Sequence, residues 1–184
     1  LSIKGFTTVE EVNIAINSGE YLYYQNEYDK AIEEYKKMQE NDEWPIWTVK
    51  IADIYSLQGE TDTSNTLLKE ALIKRDKVIK EEGYENYKEK DIELINSMLF
   101  TFTLNKDYGD VISFGEQYIS DYGVNKEILK TLFTAYIRNN NEYKAEELLD
   151  IYPIDEKSSY DIATVANMNM LMNRWDNGID LLKD

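Results

Sequence analysis

The sequence predicts an all-α fold built as a stack of helical hairpins, and three observations carry that prediction. Only Pro45 and Pro153 interrupt the chain, so almost nothing in it forbids continuous helix. Apolar side chains recur at helical spacing in window after window, and tyrosines such as Tyr21, Tyr24 and Tyr28 fall three and four apart instead of alternating as in a strand. One short pattern also returns: Asn26-Glu27-Tyr28-Asp29-Lys30-Ala31-Ile32 matches Lys106-Asp107-Tyr108-Gly109-Asp110-Val111-Ile112 and Asn173-Arg174-Trp175-Asp176-Asn177-Gly178-Ile179.

Two weaker copies complete the series, Asn141-Glu142-Tyr143-Lys144-Ala145 and Gly59-Glu60-Thr61-Asp62-Thr63-Ser64. Anchored on Ala31, Ser64, Val111, Ala145 and Gly178, the intervals are 33, 47, 34 and 33 residues. A recurrent period near 34 predicts a helix–turn–helix array, read here as a single array over 1–184 with repeats at 9–40, 45–82, 91–121, 125–152 and 158–184.

The elements follow in order. Thr8 with Glu11 marks the first helix start, and Pro45 the start of the second repeat. The long interval predicts a second helix extended over about 62–82, ended by Gly83, with a short linker before Asp91. Asn125 caps the fourth repeat, Pro153 follows the end of a short helix, and Ser158 with Asp161 opens the fifth. The chain ends a few residues into an amphipathic stretch at Leu181-Leu182, which leads us to expect that it continues beyond Asp184, and we expect further domains in the same chain.

On these residues the chain resembles the tetratricopeptide repeat family. Gly19 stands twelve residues before Ala31, as Ala52 before Ser64 and Ala166 before Gly178, and these look like the family's two small positions. Small side chains are needed where the two helices of a hairpin cross closely. Leu99 and Phe133 take the first small position in repeats three and four, and Gly115 replaces a large residue, so packing there must differ. The family's early tryptophan is replaced by Ala15, Thr48, Ile95, Leu129 and Ile162. The resemblance implies an α-solenoid, a right-handed superhelical stack of about five antiparallel hairpins with a concave groove lined by the first helix of each pair.

Composition narrows the function. Thirty-six acidic against twenty basic residues leave a formal charge of −16, which repels phosphate backbones and anionic headgroups, so neither nucleic acid nor a membrane surface is expected as partner. The chain has no histidine and no cysteine, which removes imidazole bases, thiolate nucleophiles and the usual zinc ligands. It has no Walker loop, dinucleotide fingerprint or nucleophile elbow either. Adjacent carboxylates such as Glu33-Glu34 and Glu146-Glu147 point about 100° apart on a helix and read as solvated faces. No apolar run approaches the length of a membrane span. No catalytic, cofactor or metal site is therefore expected, and the chain is read as a binding module and not an enzyme.

Tyr28, Tyr35, Tyr55, Tyr108, Tyr136 and Trp175 fall at repeat positions whose aromatic bodies pack between helices. Carried along each first helix, the implied groove presents Asn13, Glu20, Tyr23 and Tyr24, then Asp53 and Ser56, then Asn96 and Phe100, then Lys130 and Arg138, then Tyr160 and Asn167. Relatives that clamp acidic chaperone tails use Lys, Arg and Asn from successive helices. Glu20 and Asp53 stand at that level here, and Lys130 and Arg138 are isolated, so that specialisation is not expected. An acidic, aromatic first half favours a protein or peptide partner carrying Lys, Arg and apolar residues. A peptide-sensing segment of a regulator and a glycan-binding module of a surface protein are the alternatives.

Overall fold

The computed structural model describes residues 18–183, and these form an all-α protein with no strand among them. The first element described is the helical segment 18–24 (α1); Thr8, Glu11, Asn13 and Ala15 lie outside the described residues. There follow α2 (Tyr28–Glu40), α3 (Ile46–Leu57), α4 (Thr61–Glu82), a 3-10 turn at Tyr84–Asn86, and α5 (Lys88–Leu104). Then come α6 (Tyr108–Tyr122), α7 (Lys126–Arg138), α8 (Glu142–Ile151), α9 (Ser159–Leu171) and α10 (Trp175–Leu181). The chain divides into two compact units, one ending at Asn105 and the other beginning at Lys106.

The turns carry the clearest trace of the internal repeat. Asn26, Gly59, Lys106, Asn140 and Asn173 all adopt positive φ, between 56° and 82°, and each lies five residues before one of the five anchors. Their separations are the same 33, 47, 34 and 33 residues. At Asn26, Gly59, Asn140 and Asn173 the preceding helix closes in a Schellman motif. Glu27 N–H bonds Leu22 O at 2.9 Å and Asn26 N–H bonds Tyr23 O at 3.0 Å, with equivalent pairs at the other three. A left-handed residue costs least as glycine or asparagine, which explains four of the five identities.

In the first unit the apolar faces of α2 and α3 meet in a cluster of Ala31, Ile32, Tyr35, Met38, Trp47, Ile51 and Ile54. Tyr35 and Trp47 stack with centroids 5.7 Å apart. Gly19 is buried against that ring; a Cβ there would sit 2.8 Å from Tyr35 Cε1. Ala52 and Ser64, the second small pair, are both fully buried where α3 packs on α4. Asn105 Nδ2 reaches back to Ser64 Oγ at 2.9 Å, so the small position there is also a polar one.

Pro45 immediately precedes α3, as expected, but supplies no side-chain cap. Gln39 Oε1 does so instead, accepting from Thr48 N–H and Thr48 Oγ1, each at 2.9 Å, while its amide holds Trp44 O at 3.1 Å. The extended helix runs 22 residues and Gly83, at φ 88°, ends it where expected. The linker is shorter than expected: α5 begins at Lys88, three residues ahead of Asp91, because the 3-10 turn already directs the chain into helix. Trp44 stacks on Tyr87 at 4.8 Å and covers that turn.

In the second unit α7 is the central helix, with Ile128, Leu129, Leu132, Phe133 and Tyr136 buried to within 3%. Burial of each such side chain is worth about 1.5–3 kcal/mol. Gly115 of α6 makes the altered packing intelligible: a Cβ there would lie 2.7 Å from Leu132 Cδ2, so the glycine is the seat of that leucine. Asn125 caps α7 through Glu127 and Ile128 N–H, and Ser158 Oγ accepts from Asp161 N–H at 3.2 Å, both as expected. Tyr152 ends α8 in extended conformation (ψ 122°), the geometry that Pro153 requires of its predecessor. Gly178 is buried against α9; a Cβ there would lie 2.8 Å from both Ala166 O and Met170 Cγ, so no side chain fits without a shift. Trp175 corrects the sequence expectation: its side chain is 56% exposed and so is not packed between helices.

Candidate functional site

The first unit holds an open recess of about 400 Å³ between α3 and α5. Helical spacing builds both walls. Ile46, Val49, Lys50 and Asp53 project from successive turns of α3, and Glu93, Asn96, Ser97, Phe100 and Thr101 from those of α5. Val49 is buried as part of the floor, whereas the Phe100 ring is 59% exposed at the rim beside exposed Glu93. Asn96 Oδ1 is buried and accepts no hydrogen bond.

Two bonds from neighbouring helices shape the charge in this recess. Tyr23 donates its hydroxyl to Asp53 Oδ2 at 2.9 Å, and Lys50 Nζ donates to Glu20 Oε1 at 2.6 Å. The same Glu20 oxygen accepts from Tyr35 at 3.0 Å. Burial, then the bond to Asp53, pushes the Tyr23 phenol well above its ordinary range; burial, then the Glu20 charge, does the same to Tyr35. Glu20 is thus a paired carboxylate that positions Lys50 and does not itself line the recess.

The second unit has a smaller recess of about 210 Å³ between α7 and α9, lined by Lys130, Phe133, Thr134, Tyr160, Thr164, Asn167 and Leu171, among others. Lys130 has partners of its own in this recess. It lies over the Tyr160 ring at 5.2 Å from the centroid, donates to Tyr160 Oη at 2.6 Å, and pairs with Glu127. Tyr160 in turn donates its hydroxyl to Glu127 Oε1 at 2.7 Å. Burial pushes the Glu127 carboxyl up, but the bonds from Lys130 and Tyr160 outweigh it and hold the carboxyl below the usual range.

The structure therefore brings Asp53, Asn96 and Phe100 together in one recess, with Tyr23 one bond away and Glu20 joined through Lys50. It brings Lys130, Tyr160 and Asn167 together in another. Tyr24 is 73% exposed and does not line the recess; its ring meets that of Tyr23 edge-on at 5.5 Å. Ser56 is half-buried on α3 and Arg138 is exposed on the last turn of α7; neither lines a recess described here. Asn13 lies outside the described residues.

Lys50, Ser97, Thr101 and Glu127 were not singled out from sequence. Lys50 pairs with a carboxylate thirty residues away, and Glu127 reads locally as an ordinary first-turn acid. Among the described residues no helix is long and apolar enough to cross a membrane, and no group of His, Cys, Asp or Glu is placed to hold a metal ion. Neither the known protein-family models nor the curated proteins contain a match to this chain.

Proposed function

We propose that this chain is a protein- or peptide-binding scaffold segment of tetratricopeptide type, a right-handed stack of about five helical hairpins that receives an extended peptide in the recess between α3 and α5. The recurrence of left-handed turns at 33, 47, 34 and 33 residues supports the repeat reading, as do the buried small pairs Ala52 with Ser64 and Ala166 with Gly178. The observation that carries the binding reading is the Phe100 ring, exposed at the rim of an acid-flanked recess whose Asn96 oxygen has no partner.

Such a surface suits a segment that brings an apolar anchor against Phe100, a basic residue toward Asp53 and Glu93, and a backbone N–H to Asn96. Charge would set the encounter rate and the aromatic contact the lifetime. Helix walls spend their own backbone groups internally, so side-chain amides and hydroxyls such as Asn96, Ser97 and Thr101 are the means of holding an extended backbone here.

Selection from a random library of short linear peptides, displayed against the wild-type chain and against Phe100→Ala, tests this. Enrichment of sequences combining Lys or Arg with an apolar residue, lost on the variant, is the expected outcome. Enrichment that ignores Phe100, or none, refutes the assignment. Charge reversal at Glu20 is a poor probe because it breaks the bonds to Lys50 and Tyr35; Glu93→Lys alters an exposed carboxylate instead.

A further inference from the structure

The second unit carries a larger recess on a different side of α7. Its volume is about 600 Å³; Leu132 and Tyr136 form the floor, Ile119 of α6 one wall, and Leu148 and Ile151 of α8 the other. Ile151 is 53% exposed at its mouth. That size lies within the range of recesses that take ligand groups or several side chains. Three carboxylates, Glu116, Glu147 and Asp150, border it against the single cation Lys144. Glu116 accepts from Tyr136 Oη, and Lys144 pairs with Glu147 at 3.0 Å, which leaves the border acidic.

We propose that this recess docks an amphipathic helix of a partner protein, with apolar anchors on successive turns and Lys or Arg on both flanks. All its walls are helices, whose N–H and C=O groups are consumed in their own hydrogen bonds, so it presents no strand edge to an extended segment. No Asn or Gln lines it, in contrast to the Asn96 recess of the first unit, and Ser120 is its one aliphatic hydroxyl, so an extended backbone crossing the Leu132, Leu148 and Ile151 floor and walls would find few partners for its N–H and C=O groups. A helix arrives with its backbone already satisfied and needs only an apolar stripe to fill the trough. The acidic border selects basic flanks, and it disfavours a second copy of this chain, which brings a formal charge of −16.

The probe is a fluorescein-labelled, side-chain-stapled helix about four turns long, with leucines along one face and lysines elsewhere, titrated by anisotropy into the full chain. Saturable binding is expected, weakened about tenfold or more by Ile151→Glu. That sign is diagnostic, because an added carboxylate would strengthen a purely electrostatic contact. Asp150→Lys should weaken binding less and flatten its salt dependence, and Phe100→Ala should leave it unchanged. Both substituted residues on α8 are exposed, and circular dichroism verifies that the variants fold. Equal affinity for wild type and Ile151→Glu, or no saturable binding, overturns the proposal. So does equally tight binding of an unstapled proline-containing peptide of the same composition, which would mean an extended occupant. A doubled sedimenting mass that Ile151→Glu abolishes would assign the face to a second copy and overturn it as well.

Discussion

Arg75 of α4 grips Asp91 of α5 through two bonds, Nε to Oδ1 and Nη2 to Oδ2, both at 2.6 Å, and Asp91 is wholly buried. The bidentate geometry joins the extended helix to its successor across the linker, and a third bond ties the guanidinium to Asp76 at 2.7 Å. Asp91→Ala removes both bonds of the bidentate grip from a guanidinium whose side chain is only 8% exposed and leaves its bond to Asp76 in place. The expected loss is about 3–5 kcal/mol, read from urea unfolding. The double variant Arg75→Met/Asp91→Leu should recover most of it, since the pair's own desolvation cost then vanishes.

Two of the helical glycines, Gly178 and Gly109, should respond oppositely to alanine. At Gly178 a Cβ would meet Ala166 O at 2.8 Å, and backbone cannot step aside, so Gly178→Ala should cost about 1–3 kcal/mol. At Gly109 the nearest atom is Asp107 Oδ1 at 3.9 Å, and Gly109→Ala should raise stability by up to about 1 kcal/mol. Thermal melts of the two variants decide this.

The tyrosines predict an alkaline limit to stability. Tyr136 is raised by burial and then by its bond to Glu116, in company with Tyr23 and Tyr35, while the bond to Glu82 and then burial push Tyr87 up to about 12. A phenol raised on folding contributes stability that is complete below the unfolded value of 10.0 and is lost as the pH climbs through the folded one. Phenolate absorbance should therefore show that Tyr23, Tyr35 and Tyr136 ionise only together with loss of helical circular dichroism.

At the acid end one depressed carboxylate, in addition to Glu127, is Asp161, held below its ordinary 3.8 first by the bond from Lys126 and then by Asp155 N–H. A depressed carboxyl contributes stability above the unfolded value that disappears as the pH falls through the folded one. Asp161→Asn should flatten the acid limb of the stability profile below about pH 4. Ser158→Ala, which removes the cap of the same helix, should cost about 1 kcal/mol at every pH.

What could be read from sequence was what is local in sequence. The turns were legible because a left-handed residue must be Gly, Asn or a tolerated exception such as Lys106, and Gly83, Asn125 and Ser158 announce helix ends through their own backbone and side-chain chemistry. Asp53, Asn96 and Phe100 could be placed on one surface only through the groove that the family resemblance implies, helical spacing then choosing the residues along each helix. Arg75 with Asp91, Glu20 with Lys50 and Lys126 with Asp161 were not, since residues 16, 30 and 35 apart meet only after the helices pack. The same limit explains Gln39, which caps a helix that Pro45 only appears to start alone, and Trp175, whose repeat position says nothing of whether a neighbour covers it.

Isothermal calorimetry of one library-selected basic and apolar peptide, at low and moderate salt, is the most direct test of the binding claim. Saturable one-to-one binding is predicted for the wild type and for Ile151→Glu, with affinity reduced about tenfold by Phe100→Ala and salt dependence reduced by Glu93→Lys. Unaltered binding in both Phe100→Ala and Glu93→Lys would contradict the placement of the site between α3 and α5.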